Sequence, residues 1–272
     1  MSIALSSSTS ALDGARHATE SCAVSPAFQE LLCRDGPLDG NDEMVWLEQA
    51  LGGRTVATAW TGRQGLVAPV SYQRHAELDT VCQAFAASGW PVRLRRSGGG
   101  VVPQGPGILN LSLAYPCAGQ AGDLSQAVYQ HLCAILASSL LALGIATVER
   151  SVPGSFCDGR YNLAVELDGV AHKICGTAQY WKRADGAQAV LVHALVLLDA
   201  RVVQMTEICN AFESALGSSR RYETDTLTNV MQTWKAAHPN LQAPDDFGES
   251  LKQEFAIALG HVARKNISVN AL

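Results

Sequence analysis

The sequence predicts an α+β fold: a mixed or antiparallel central sheet with helices packed on it. Three observations predict it. Stretches such as Arg54–Trp60 and Ile108–Tyr115 alternate in the manner of strands. The pair Asp168-Gly169 separates two alternating runs, the mark of a two-residue hairpin between antiparallel neighbours. After Asp199 the pattern turns helical instead of alternating strand with helix, which argues against a purely parallel sheet.

Residues 1–25 are rich in Ser and Ala with no steady period, and read as a flexible tail. "NDEMVWLEQAL" predicts a helix capped by Asn41, with Met44, Leu47 and Leu51 on one face. Arg54–Trp60 is a strand. Ser71–Gly89 reads as one helix ended by glycine, "WPVRLR" as a short strand, and Ile108–Tyr115 as another beyond a glycine-rich loop. Asp123–Gly144 has the strongest helical period, with Asp123 or Ser125 near its start. "ATVER" predicts a strand, Asn162–Gln179 the hairpin, and Ala189–Leu198 a continuous apolar strand. Helices follow at Arg201–Leu216, Thr226–Ala237 and Asp246–Leu259. No repeat or linker divides the chain. Residues 40–222 are expected to form a catalytic domain, with 223–272 a helical extension packed on it.

The chain has 272 residues, 47% hydrophobic and 17% charged, with net charge −5. That balance excludes broad phosphate-backbone binding, although Arg93, Arg95 and Arg96 form a small basic patch. Eight cysteines stand without a CxxC pair or a zinc-ligand spacing. No secretory signal is recognisable, and the most apolar stretch, Ala134–Val148, is shorter than the ~20 residues a bilayer span needs. The expectation is a cytoplasmic protein with reduced thiols and no metal, nucleic-acid or membrane partner.

Three places carry candidate chemistry. Ser97–Gly107 holds five glycines between two strands. Such a loop lets backbone N–H groups approach an anion or carbonyl oxygen, with Arg95 or Arg96 adding charge; it equally suits a wide hairpin. It lacks the GK[ST] of a P-loop, and the strand after it argues against a dinucleotide fingerprint. Cys157, in "GSFCDGRYNL", sits in a turn instead of an apolar run, so it is either a small packing residue or a thiol held out for chemistry. Lys173 and His193 lie in strands. By residue type alone the lysine reads as solvent-facing and the histidine as a hydrogen-bonded core residue.

"RRSGGGVV…GILNLSL" resembles the ligand-binding loop of the lipoate–protein ligase and octanoyltransferase superfamily, whose catalytic domain is related to that of biotin–protein ligases. "TGRQ" (Thr61–Gln64), "HKICGTAQYWKR" (His172–Arg183) and "LVHALVLL" resemble the family's other segments in the same order. Together they span roughly residues 43 to 200. The resemblance implies that Lys173 points at the reacting carbonyl in an acyl tunnel, where an ammonium stabilises developing negative charge and favours a nearby thiolate. It implies that Arg95 or Arg96, Ser97, Gly98, Gly99, Gly100, Gly107 and Asn110 bind the acyl ligand with Gly176, Thr177, Ala178, Gln179 and His193. Cys157, sixteen residues before Lys173, stands where cysteine-dependent octanoyltransferases carry their nucleophile. Cys175 reads as packing. Two departures stand out: Gln104-Gly105 replace the ligases' usual His-Asp, and Leu94 interrupts the double arginine.

The implied activity is transfer of an octanoyl or lipoyl group through a Cys157 thioester, with no cofactor. The implied donor is an acyl-carrier protein or a glycine-cleavage H protein. The acceptor is a lysine on lipoyl domains of 2-oxoacid dehydrogenase complexes. The alternatives are an ATP- and Mg-dependent lipoate–protein ligase acting through an adenylate, and a noncatalytic relative that binds acylated carriers.

Overall fold

The computed structural model describes residues 25–38, 41–244 and 246–260; all of the expected tail but Ser25, and the last twelve residues, lie outside these. The fold is α+β. Strands β1 (Leu31–Leu38), β2 (Val56–Gly62), β6 (Ile108–Pro116), β10 (Ala187–Leu197), β9 (Val170–Ala184), β8 (Leu163–Leu167) and β7 (Val148–Glu149) form one seven-stranded sheet in that order. Among the described residues of this sheet, the β1–β2 pair is parallel and the other pairs are antiparallel. A smaller sheet, β4 (Val92–Arg95), β3 (Gly65–Pro69) and β5 (Val102–Gln104), carries the glycine-rich loop.

Strand alternation builds two different faces. On β6, Leu109, Leu111, Leu113 and Tyr115 enter the main core with Val190, Val192, Ala194 and Val196 of β10. Helices α3 (Ala121–Ala142), α5 (Val230–Ala237) and α6 (Phe247–Ala258) cover this face through Leu132, Leu136, Trp234, Leu251 and Phe255. The described part of the expected C-terminal extension thus shares the core of the sheet. At 22 residues α3 is long enough to cross a bilayer, but its Val128, Leu132, Leu136 and Leu140 are fully buried against protein.

The other face is closed only in part. Helix α1 (Asp42–Leu51) sets Trp46, Leu47 and Ala50 against Trp60, Ala114 and Leu191 at one end. The small sheet, α2 (Leu78–Ala87) and α4 (Val202–Ala215) form a separate cluster around Tyr72 and Phe212. Between these supports the sheet face stays open, and there the cavity forms.

Several expectations are corrected. Asn41 has helical dihedrals and makes no side-chain cap bond. The helix expected over Ser71–Gly89 divides into a 3₁₀ turn at Val70–Arg74 and α2, because His75 is extended (φ −83°, ψ 118°). The division lets Tyr72 turn inward and stack on Phe212 at 6.1 Å. The helix expected from Thr226 begins at Val230, capped by the Asn229 side chain on Gln232 N. Leu227 before it is extended and bridges to Lys173, and Thr228 N donates to Lys173 O at 3.1 Å.

Candidate active site

A cavity of about 710 Å³ opens on the free face of the large sheet, a size suited to a small-molecule ligand. Leu191 and Leu195 of β10, Ala178 of β9, Trp60 of β2 and Met44 of α1 supply apolar walls. Cys157, Lys173, Arg96, Ser97, Asn110 and His193 bring polar groups into it.

The hairpin at Asp168-Gly169 forms as predicted, pairing Leu167 with Val170. It returns the chain so that Lys173 lies under the turn holding Cys157. Lys173 is 1% exposed. Its Nζ donates to the carbonyls of Phe156 at 2.7 Å and Cys157 at 3.0 Å and lies 5.5 Å from the Phe156 ring centroid. Burial pushes its pKa below the ordinary lysine value, against the opposing pull of Cys157, Cys175 and Asp158. Gly176 leaves room for it, since a Cβ there would lie 3.1 Å from Nζ. Lys173 thus meets Cys157 through the backbone carbonyl.

The Cys157 sulfur takes other donors: Gly100 N–H at 3.4 Å and Arg95 Nη2 at 3.6 Å. Both are donors directed at the sulfur, which accepts from them. Cys157 is the one cysteine among three described non-glycine residues at positive φ, at 47°. That conformation costs on the order of 1–3 kcal/mol, a kind of strain that clusters at functional sites. Its neighbours hold it there: Phe156 is buried in the cluster with Leu195 and Leu227. Asp158 Oδ1 accepts from Val152 N at 2.8 Å and Asn162 Nδ2 at 2.9 Å. Thr177, lining the cavity, donates from Oγ1 to Tyr161 O at 2.7 Å.

Both Arg95 and Arg96 line the cavity. Arg95 reaches Val67 O at 2.7 Å, Gly98 O at 2.9 Å and Gly100 O at 2.7 Å, so it braces the loop and faces the sulfur. Gly99 has φ 106°, and a Cβ there would collide with Cys157 Sγ. Gly107 is a backbone fixture instead of a cavity residue: its carbonyl accepts from Leu198 N at 2.9 Å and Asp199 N at 3.0 Å. Gln179 projects from the opposite face of β9 and donates to Ser125 O on α3 at 3.2 Å; strand alternation sends it there from Ala178. Asn110 faces the cavity locked to Gln104 by paired amide bonds of 2.8 and 3.1 Å. Cys175 is fully buried, and burial pushes its thiol up to about 12. It is a packing residue.

Two features escaped sequence reasoning. The first is Glu43, which reads only as an acid in a helix's first turn. Its Oε1 lies 2.7 Å from His193 Nδ1 and accepts from Ser112 Oγ at 2.7 Å. The far ring nitrogen, His193 Nε2, lies 3.0 Å from Ser97 Oγ. Burial raises the Glu43 pKa, but His193, Ser112 and Arg95 outweigh it and hold Glu43 below the ordinary carboxylate range. The second is a buried cluster beneath the loop. Tyr72 and Tyr222 both donate to Glu213 Oε1, at 2.5 and 2.8 Å. Tyr72 Oη in turn accepts from Val101 N at 3.3 Å and Arg220 Nη1 at 3.1 Å. Burial and the carboxylate raise both phenols, which stay protonated donors.

Fold and cavity together define an α+β protein with an apolar pocket ending at a cysteine and a buried lysine. A model of the lipoyl protein ligase A/B catalytic domain matches residues 68–256. The chain belongs to that family, which is an enzymatic one concerned with lipoyl and octanoyl transfer. An uncharacterized protein of Cupriavidus necator is 48% identical over 204 residues, covering 72% of this chain and 81% of that one. An octanoyl-[GcvH]:protein N-octanoyltransferase of Kyrpidia tusciae is 43% identical over 94 residues, 35% of this chain and 31% of that enzyme. The match to its Geobacillus kaustophilus counterpart is 26% over 141 residues, 52% and 47% of the two chains. The chain thus spans 31% and 47% of the lengths of these two transferases. A lipoate-protein ligase A bound with ATP has the same fold, at TM-score 0.59 and 17% identity over 89% of this chain and 90% of that one.

Proposed function

We propose that this protein moves an octanoyl or lipoyl group from an acylated carrier protein to the target lysine of a lipoyl domain through an acyl-Cys157 thioester. The observation that carries the reading is the sulfur's setting. It lines an acyl-sized cavity, two donors point at it, and a buried lysine holds its turn.

In the first step the Cys157 thiolate attacks the donor's acyl carbonyl. The C–S bond forms as the donor's bond to its carrier breaks, and the donor group departs with the proton that the Cys157 thiol gave up. Gly100 N–H and Arg95, released from sulfur as its charge moves to the carbonyl oxygen, are suited to stabilise that oxygen. Lys173 shares this role when the Phe156 and Cys157 carbonyls release its ammonium. In the second step a neutral lysine amine of the acceptor attacks the thioester; the C–N bond forms as the C–S bond breaks, and the amine's proton passes to the departing sulfur, returning the Cys157 thiol. The apolar walls favour an eight-carbon chain, each buried CH₂ contributing ~0.8 kcal/mol. The partial likeness to octanoyl-[GcvH] transferases supports a glycine-cleavage H protein as donor, with acyl-carrier protein the other candidate. No cofactor is required by this route, and residues 40–222 would carry it with the helices after them as support.

Intact-protein mass spectrometry after incubation with an octanoylated carrier tests the reading. An octanoyl adduct on Cys157, absent in Cys157→Ser, is expected without ATP. ATP-dependent lipoylation that survives Cys157→Ala would refute it in favour of an adenylate-forming ligase.

A further inference from the structure

The chain Glu43–His193–Ser97 has the connectivity of an acid–base–nucleophile triad, which is recognised by geometry and roles instead of position in sequence. Nδ1 of His193 lies 2.7 Å from the Glu43 carboxylate and Nε2 lies 3.0 Å from Ser97 Oγ. An ionised carboxylate only accepts, so Nδ1 must donate to it. In the neutral ring Nε2 is then the acceptor, and the Ser97 hydroxyl is the donor. That is the arrangement in which a serine can lose its proton as it attacks. The orienting acid is itself fixed: Ser112 Oγ donates to Glu43 at 2.7 Å, and Trp60 Nε1 donates to Ser112 at 2.9 Å. All three triad members line the acyl cavity. Gly98 follows the serine with open space at its Cβ position, so no side chain shields the N–H next to the nucleophile, where acyl-transferring sites place an oxyanion donor. Both ring nitrogens of His193 are engaged here, so the histidine serves Ser97 and not the Cys157 sulfur.

We propose that Ser97 is a second acyl-accepting nucleophile, and that through it the protein hydrolyses medium-chain acyl esters and thioesters independently of Cys157. The Oγ–C bond forms as the ester C–O or thioester C–S bond breaks. The serine proton passes to His193 Nε2 and from there to the leaving alcohol or thiol. A water then gives a proton to Nε2 and attacks the acyl-serine. The Oγ–C bond breaks, the proton returns to Ser97, and a free fatty acid leaves. The activity would discharge acyl groups that reach the cavity without an acceptor lysine.

The test is labelling of the full-length protein by an alkyl fluorophosphonate, located by peptide mass spectrometry, with p-nitrophenyl octanoate hydrolysis followed in parallel. A Ser97 adduct is expected in the parent and in Cys157→Ala, where carrier-to-carrier transfer is gone; failure of the Cys157 reading is thereby seen separately. Ser97→Ala should lose both adduct and Cys157-independent hydrolysis. Glu43→Gln and His193→Gln, with melting temperatures recorded, should slow labelling by about 100-fold or more, the share of a positioned general base. No Ser97 adduct on the parent protein overturns the proposal. So does labelling at the parental rate in a folded His193→Gln protein, which would make the chain a structural tie of the loop.

Discussion

Gly99→Ala isolates the placement of the Cys157 sulfur from the rest of the fold. Gly99 has φ 106°, and the added Cβ would overlap Cys157 Sγ while standing 3.2 Å from Arg95 Nη2. Two costs follow. An L side chain at positive φ costs roughly 1–2 kcal/mol. Relieving the overlap by turning the cysteine side chain or shifting the loop costs about another 1–2 kcal/mol, the lower part of the overpacking range. The sum, roughly 2–4 kcal/mol, lowers Tm by about 4–16 °C for a protein of this size. The protein stays folded, but the sulfur leaves Gly100 N–H and Arg95. A displacement near 1 Å from reacting geometry costs on the order of 100-fold in rate. The assay pairs thermal melts with the rates of Cys157 alkylation and octanoylation, alongside Gly98→Ala, whose Cβ meets nothing within 4 Å. Gly99→Ala octanoylated at the parental rate, with an unshifted melt, would refute the reasoning.

Lys173→Met should lower acyl transfer by about 100-fold or more, as loss of an oxyanion donor does. Its melting shift should be small: two carbonyls lose a donor at ~1–3 kcal/mol each, while a desolvated ammonium disappears. Transfer at the parental rate would exclude the lysine from the chemistry. Ala178→Leu should shorten the cavity and move the preferred chain below eight carbons, each lost CH₂ contact changing relative rates by roughly fourfold, equivalent to ~0.8 kcal/mol. A panel of acyl donors reads this directly, and an unaltered chain-length profile would refute it. Glu43 has a depressed carboxyl pKa, so its contribution is complete above the unfolded-state value of about 4.3. As pH falls below that value the unfolded chain binds the proton first, and the contribution is lost through the lower folded value. Glu43→Gln should therefore flatten the loss of Tm below about pH 4, and equal slopes for the two proteins would count against the pair with His193.

Local pattern made much of this protein legible. Alternation marked β2 and β6, a continuous apolar run marked β10, a two-residue turn marked the β8–β9 hairpin, and a long helical period marked α3, each through an interaction between near neighbours in the chain. The order of short motifs around Ser97, Lys173 and His193 carried the family. Strands β1, β3 and β5 stayed hidden because β1 is interrupted by Asp35-Gly36-Pro37, and the other two are short and draw their stability from pairing with distant partners. The same reason governs the site. Glu43 meets His193 across 150 positions, and Tyr72 meets Glu213 across 141. No periodicity connects such residues; only packing α1 on the sheet, and α4 under the glycine-rich loop, brings them within hydrogen-bonding distance. Residue types and spacing by themselves determined a mixed α+β chain with a cysteine in a turn ahead of a strand lysine. Tertiary structure decided that the lysine holds the cysteine's carbonyl, that the sulfur answers to Gly100 and Arg95, and that a serine, a histidine and a glutamate share the same cavity. Those contacts depend on side-chain directions and on chain segments far apart in sequence, which are defined only once the layers are assembled.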